Sequence, residues 1–209
     1  MTTSGYQLRK ISGPESWPVT LEEAKLHCKI DADLTDDDTL VQDWIEAATE
    51  MAESFTKRSF CERTYELLLD SFPRRAPYEE ARIFLPFGSV IELLSLRYLD
   101  TDGSEVDQDL SALHFAQYDE PAWIGLGNNG SWPLLSPRPG AVKIQYRAGY
   151  ASAGSPADAI TVPRLVKQAI RMLISHWNEN REATAAVRIV SDEIAYAFER
   201  CLQPLRFLP

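Results

Sequence analysis

Three cysteines and three histidines in 209 residues leave little material for a disulfide framework or a His/Cys metal centre. Cys28, Cys61 and Cys201 are odd in number, and no two stand at metal-ligand spacing. They read as reduced, mostly buried thiols of an intracellular protein. No uninterrupted apolar run approaches about 18 residues, so no membrane-spanning helix is expected. The first ten residues lack the apolar run of a secretory signal, which points to synthesis and use in a cytoplasm. Basic residues are also scarce, 21 Lys and Arg against 31 Asp and Glu, for a formal charge of -10. Wrapping duplex DNA needs clustered Lys and Arg, and that mode of binding is not expected. An acidic surface keeps the chain soluble, and DNA would slide past it without sticking. Catalytic signals are missing too. His27, His114 and His176 fall on separate elements without a second His at i+3 or i+4, and no serine sits in a Gly-x-Ser-x-Gly elbow.

What is present is the patterning of a folded chain. Hydrophobic residues make up 44% and charged residues 25%, enough for a real core without metal or disulfide staples. Residues 1–18 are polar, with Gly5, Gly13, Pro14 and Pro18, and read as an N-terminal arm. Thr20-Leu-Glu-Glu23 has the spacing of a capping box and opens a short helix. An acidic loop follows from Asp31 to Asp38. The next helix carries Leu40, Val41, Trp44, Ile45, Ala48, Met51, Ala52 and Phe55 at helical spacing and ends near Thr56. The period then changes. Strand candidates run over 60–69, 82–86, 90–99, 111–118, 122–126 and 141–148, with a hairpin turn at Asp100-Thr-Asp-Gly-Ser104. In the last strand Val142, Ile144, Tyr146 and Ala148 face one way, and Lys143, Gln145 and Arg147 the other. After an Ala/Gly/Ser-rich linker at 149–161, Pro163 suits a first helical turn. Leu165, Val166, Ala169, Ile170, Leu173, Ile174 and Trp177 then form one stripe of a helix reaching Arg181. A final helix starts at Ser191.

The order is helices, strands, helices. The two long apolar stripes need each other or other partners for burial; the simplest fold packs them together, and the expected class is α+β. A small helical bundle core of N- and C-terminal helices (19–59 and 162–190) carries an inserted antiparallel β region (60–150). The 191–209 segment adds a C-terminal helix and tail.

Several local patterns imitate functional sites. Gly125 to Gly130 matches a dinucleotide fingerprint, but Trp132-Pro133, Pro137 and Pro139 follow, where a helix should begin; it reads as a loop. The aspartates from Asp31 to Asp38 resemble a calcium loop, yet Asp36 stands where Gly belongs and Gln42 where Glu belongs. They read as helix-capping and solvated charge. Trp123, Trp132 and Tyr146 could form a sugar-binding face, although packing is the commoner use of aromatics. Arg164, Lys167 and Arg171 form a basic stripe, either solvated or docked head to tail on the acidic surface of another copy. No catalytic, cofactor or metal site is expected.

Several segments occur in an order that resembles a known family. They are Thr20-Leu-Glu-Glu-Ala-Lys25, the acidic loop before Leu40, Ile45-Glu-Ala-Ala48, Thr56-Lys-Arg58, Ile83-Phe-Leu-Pro86, Val142 to Tyr150, Val162-Pro163 and His176-Trp-Asn-Glu-Asn-Arg-Glu182. Together they resemble the tailed-phage head–tail connectors, the adaptor family of the phage HK97 connector and the gene-transfer-agent adaptors. The resemblance implies a ring, usually of twelve subunits, beneath the portal of a DNA-filled head. Such a ring extends the DNA channel without holding DNA tightly, and it offers a docking surface to stopper or tail proteins. It implies location in the virion neck, with assembly in the host cytoplasm and no membrane contact. In adaptors the C-terminal segment generally engages the portal protein, which here points to Ile194, Phe198, Leu202, Leu205 and Phe207. These are also apolar groups that a monomer would find hard to hide. Arg164, Lys167 and Arg171 are the subunit-interface candidates. Two alternatives come from other classes: a phage glycan-binding module using Trp123 and Trp132, and a metal-dependent hydrolase using Asp31 to Asp38.

Overall fold

The computed structural model describes residues 6–14, 16–73, 81–127, 130–150, 161–181 and 192–207. Most of the linker at 149–161, the Pro-rich stretch after Pro73, Asn128, Asn129, Ser191 and the last two residues of the tail lie outside the described residues. The chain forms two compact units. One comprises Met1–Pro14 and Glu62–Gly149, the other Glu15–Cys61 and Tyr150–Leu208.

The second unit is helical: α1 (Leu21–Cys28), α2 (Asp38–Thr56), α3 (Arg164–Glu179) and α4 (Asp192–Leu202). The capping box forms as spaced. The Glu23 amide donates to Thr20 Oγ1 at 3.1 Å, and the Thr20 amide to the Glu23 carboxylate at 3.3 Å. Both α1 and α2 stop at a lysine in the left-handed region, Lys29 and Lys57. Val41, Ile45, Ala48 and Ala52 of α2 are buried, as are Val166, Ala169, Ile170, Leu173 and Ile174 of α3. Leu40 and Met51, read from the sequence as part of the α2 stripe, stay exposed. The buried arc of α2 is narrower than its apolar arc. Pro163 lies one residue before α3, at φ -56° and ψ 140°, not in its first turn. Its ring presets the entry of the chain, and the helical ladder begins at Arg164. Phe55 and Phe198 meet edge to face at 6.4 Å, joining α4 to α2.

The first unit is antiparallel β structure. A five-stranded sheet has the order β1-β2-β8-β4-β5: β1 (Tyr6–Lys10), β2 (Arg63–Leu69), β8 (Val142–Ala148), β4 (Val90–Leu99) and β5 (Glu105–Asp107). A three-stranded sheet has the order β3-β7-β6: β3 (Ile83–Phe84), β7 (Trp123–Leu126) and β6 (Leu113–Ala116). β8 alternates buried and half-buried along its whole length, because its even-numbered residues are the apolar ones. Tyr6–Lys10, within the segment read as an arm, is one of the two edge strands, with Tyr6 opposite Leu69 and Lys10 opposite Tyr65. The register of β4 against β8 shifts between Val90 and Glu92 and again between Leu93 and Ser95. Each shift turns the following side chains over, and Leu94 ends up facing solvent. The hairpin after β4 follows its sequence signal. Asp100 Oδ1 accepts from the amides of Asp102 and Ser104, and Gly103 takes φ +83°.

Candidate interaction surfaces

The residues that imitate functional sites are occupied by internal structure. Trp132 stacks on Phe72 at 4.5 Å and donates its Nε1 hydrogen to the Ala81 carbonyl. Trp123 is buried, with the Arg82 guanidinium 4.0 Å above its ring and its Nε1 donating to Asp119 at 2.6 Å. Tyr146 is fully buried against Tyr65, and its hydroxyl donates to the Pro86 carbonyl at 2.7 Å. Burial pushes the Tyr146 phenol far above its ordinary pKa, so it stays a donor. A sugar-binding face needs open ring surface, and these three aromatics supply none comparable. The grouping of Trp123, Trp132 and Tyr146 as such a face is corrected accordingly.

The acidic loop is organised around a cation that belongs to the chain. Lys25 is buried, and its Nζ donates to the carbonyls of Ala32 (3.0 Å) and Leu34 (2.6 Å) and to Asp38 Oδ1 (2.8 Å). The ammonium thus ties two carbonyls of the loop to the first residue of α2. Among the described residues no group of three or more His, Cys, Asp or Glu side chains is placed to hold a metal.

Two members of the basic stripe are likewise committed. Lys167 Nζ lies 3.5 Å from Glu23 Oε1 and Arg171 Nη2 lies 3.2 Å from Glu23 Oε2, tying α3 to α1. Arg164 is exposed. Burial alone would raise the Glu23 carboxyl, but Lys167, the Thr20 amide and Arg171 outweigh it and hold it below the usual range. At the C-terminus, Phe198 and Leu202 belong to the core of the helical unit, while Ile194, Leu205 and Phe207 are half-buried. The Phe207 amide donates to the Thr56 carbonyl at 2.8 Å, and Arg58 Nε to the Leu205 carbonyl at 2.6 Å. The monomer therefore hides Phe198 and Leu202 without a partner, and the exposure argument for those two residues does not hold. Missed from the sequence was an ion-pair ladder on the polar face of the five-stranded sheet. Arg147 contacts Glu62 at 3.0 Å and Glu92 at 2.8 Å, Lys143 contacts Glu105 at 2.9 Å, and Arg97 contacts Asp107 at 2.7 Å. The alternation of β8 signalled that face, but not its cross-strand partners.

Residues 18–112 match the family model of phage gp6-like head-tail connector proteins. Three solved chains share the fold. One, from the neck of an empty gene transfer agent (GTA) particle computed with C6 symmetry, has a TM-score of 0.75 and 18% identity. A second, from the virion of a native GTA particle, has a TM-score of 0.71 and 18% identity. A third, from the neck of a native GTA particle computed with C12 symmetry, has a TM-score of 0.68 and 17% identity. Each match covers 97% of this chain and 96% of the other. No curated protein matches the sequence. The family model, over residues 18–112, is in line with the resemblance to head–tail connectors (adaptors) carried by the ordered motifs, and the solved chains share the α+β fold.

Two variants test the internal pairings. Lys25→Met strips the acidic loop of its charge-assisted hydrogen bonds and should lower unfolding stability by roughly 2–3 kcal/mol in urea titrations, with no recovery on adding calcium or magnesium. Recovery by a divalent ion would make the loop a metal site. For Glu23, a lowered folded pKa means stability present above the unfolded pKa and lost as pH falls through the folded one. Glu23→Gln should therefore cost about 0.5–1 kcal/mol at pH 7, discounted for its exposure, and the gap to wild type should close on acidification. A gap independent of pH would contradict the pairing.

Proposed function

We propose that this chain is a head–tail connector that works in the neck of a phage-type particle. Copies close into a ring beneath the portal, extend the DNA channel and present a surface to the stopper or tail protein. The observation that carries this reading is the near-complete fold match to GTA neck chains, joined to the connector family match over residues 18–112. Particles computed with C6 and C12 symmetry favour a ring, with twelve copies as the natural closure. The role is mechanical, not catalytic. Bonds between surfaces do the work, and the acidic balance of -10 lets DNA pass without being held. No helix among the described residues is long and apolar enough to cross a membrane. Assembly takes place in the host cytoplasm, and the final location is the virion neck.

The C-terminal segment is the portal-facing element in this reading. Ile194, Leu205 and Phe207, half-buried, supply apolar contact. Phe198 and Leu202 anchor α4 to the core and so hold that segment in place. Removing 191–209 would also open the core, so point variants are the cleaner test. Purified chain mixed with its cognate portal and imaged by electron microscopy should give a ring on the portal, and Leu205→Ser/Phe207→Ser should weaken binding by roughly tenfold or more. Undiminished binding by the double variant would overturn the segment assignment. Failure of the wild-type chain to bind portal, or tight salt-dependent binding to duplex DNA, would overturn the connector reading.

A further inference from the structure

The helices of the second unit are arranged so that charge separates along its length. The Asp37 carboxylate pairs with Arg181 at 2.9 Å, joining the start of α2 to the residues that follow α3. Cys28, ending α1, feels the charges of Glu179 and Arg181, so it lies at that same end. At the other end, Thr56 and Arg58 bond the backbone beyond α4 at Phe207 and Leu205. α2 and α3 pack together and run in opposite senses, so the start of α3 also lies there. The two ends are roughly 25 Å apart at 1.5 Å per residue.

Exposed Asp31, Asp33, Asp36 and Glu179 occupy the first end, with the exposed Lys29 beside Cys28 as the opposing charge. Asp37 and Asp38 add to it but are matched by Arg181 and Lys25. Exposed Lys57, Arg164, Arg200 and Arg206 occupy the second. The exposed carboxylate of Glu199 opposes them and lines a groove with Met51 and Phe55, and Glu23 is taken up by Lys167 and Arg171. Each end also shows leucine to solvent: Leu26 (81% exposed) and Leu34 (56%) at the acidic end, Leu165 (48%) at the basic end. Lys25 holds the Leu34 carbonyl at 2.6 Å, which fixes that backbone position within the loop.

We propose that these two ends are the docking surfaces between copies of this chain, the acidic, leucine-bearing end of one copy seated on the basic end of the next. The proposal rests on the ring reading above and adds which surfaces meet. A two-fold contact would set like charges together, whereas a head-to-tail contact pairs opposite ones and brings Leu26 and Leu34 toward Leu165. A head-to-tail contact closes into a ring when its rotation divides the circle.

Two full-length variants test it, Asp33→Lys/Asp36→Lys and Arg164→Glu/Arg200→Glu, followed by sedimentation velocity at low ionic strength, alone and on cognate portal. Each variant by itself should associate more than about tenfold more weakly than wild type, since like charges then face each other. An equimolar mixture should recover wild-type association, because every reversed end then finds an opposite one in an alternating ring. Matching melting curves rule out a folding defect as the cause of weakening. Variants that assemble as well as wild type, or a mixture that fails to recover, overturn the pairing and leave the ring reading standing. A wild-type chain that never associates with itself, alone or on portal, overturns both.

Discussion

The apolar seam between α2 and α3 is the constraint on which the helical unit depends. Neither helix can bury its stripe alone, and the two belong to opposite halves of the chain. Ile45, Ala48 and Ala52 on one side meet a surface built from Val166, Ala169, Ile170 and Leu173, all inaccessible to solvent. Each buried large aliphatic contributes about 1.5–3 kcal/mol, and the small alanines let the backbones approach. The seam obliges the intervening strands to leave and return at neighbouring points. Phe60 and Tyr150, at the exit and the re-entry, stack at 5.8 Å within the helical unit. α1 and α4 then add to an existing surface, α1 through Glu23 and α4 through Phe198.

What could be read from the sequence was what depends on near neighbours. The Thr20–Glu23 box, the Asp100–Ser104 turn and the alternation of β8 each carry their own signal within a few residues, and each formed as spaced. Longer-range outcomes were hidden. The pairing of β1 with β2 spans some sixty residues and has only Leu8 as an apolar hint. A lysine such as Lys25 looks like surface charge until the loop path brings two carbonyls and a carboxylate around it. Lys167 and Arg171 read as a free stripe because Glu23 lies far away in sequence. Phe198 and Leu202 look in the sequence like groups awaiting a partner, and the fold itself covers them. Trp123 and Trp132 show the same effect, since aromatics attract functional readings while their large area suits them to interiors.

The charged groups of this chain divide between internal pairings and exposed surface. Several of its titratable groups hold elements together: Glu23 between α1 and α3, Lys25 within its loop, Arg147 between β4 and the residue before β2. Such pairs are individually weak at an exposed surface, but they fix side-chain positions and keep a face from binding indiscriminately. What remains exposed is unevenly distributed in sign and carries several leucines, a surface suited to a defined neighbour.

The most direct measurement is electron cryo-microscopy of an intact particle that carries this chain, with the chain traced by its side-chain density. The connector reading predicts a closed ring of this chain in the neck between portal and tail, with DNA or an open channel on its axis. Density for the chain elsewhere in the particle, or a neck built without it, would contradict that reading.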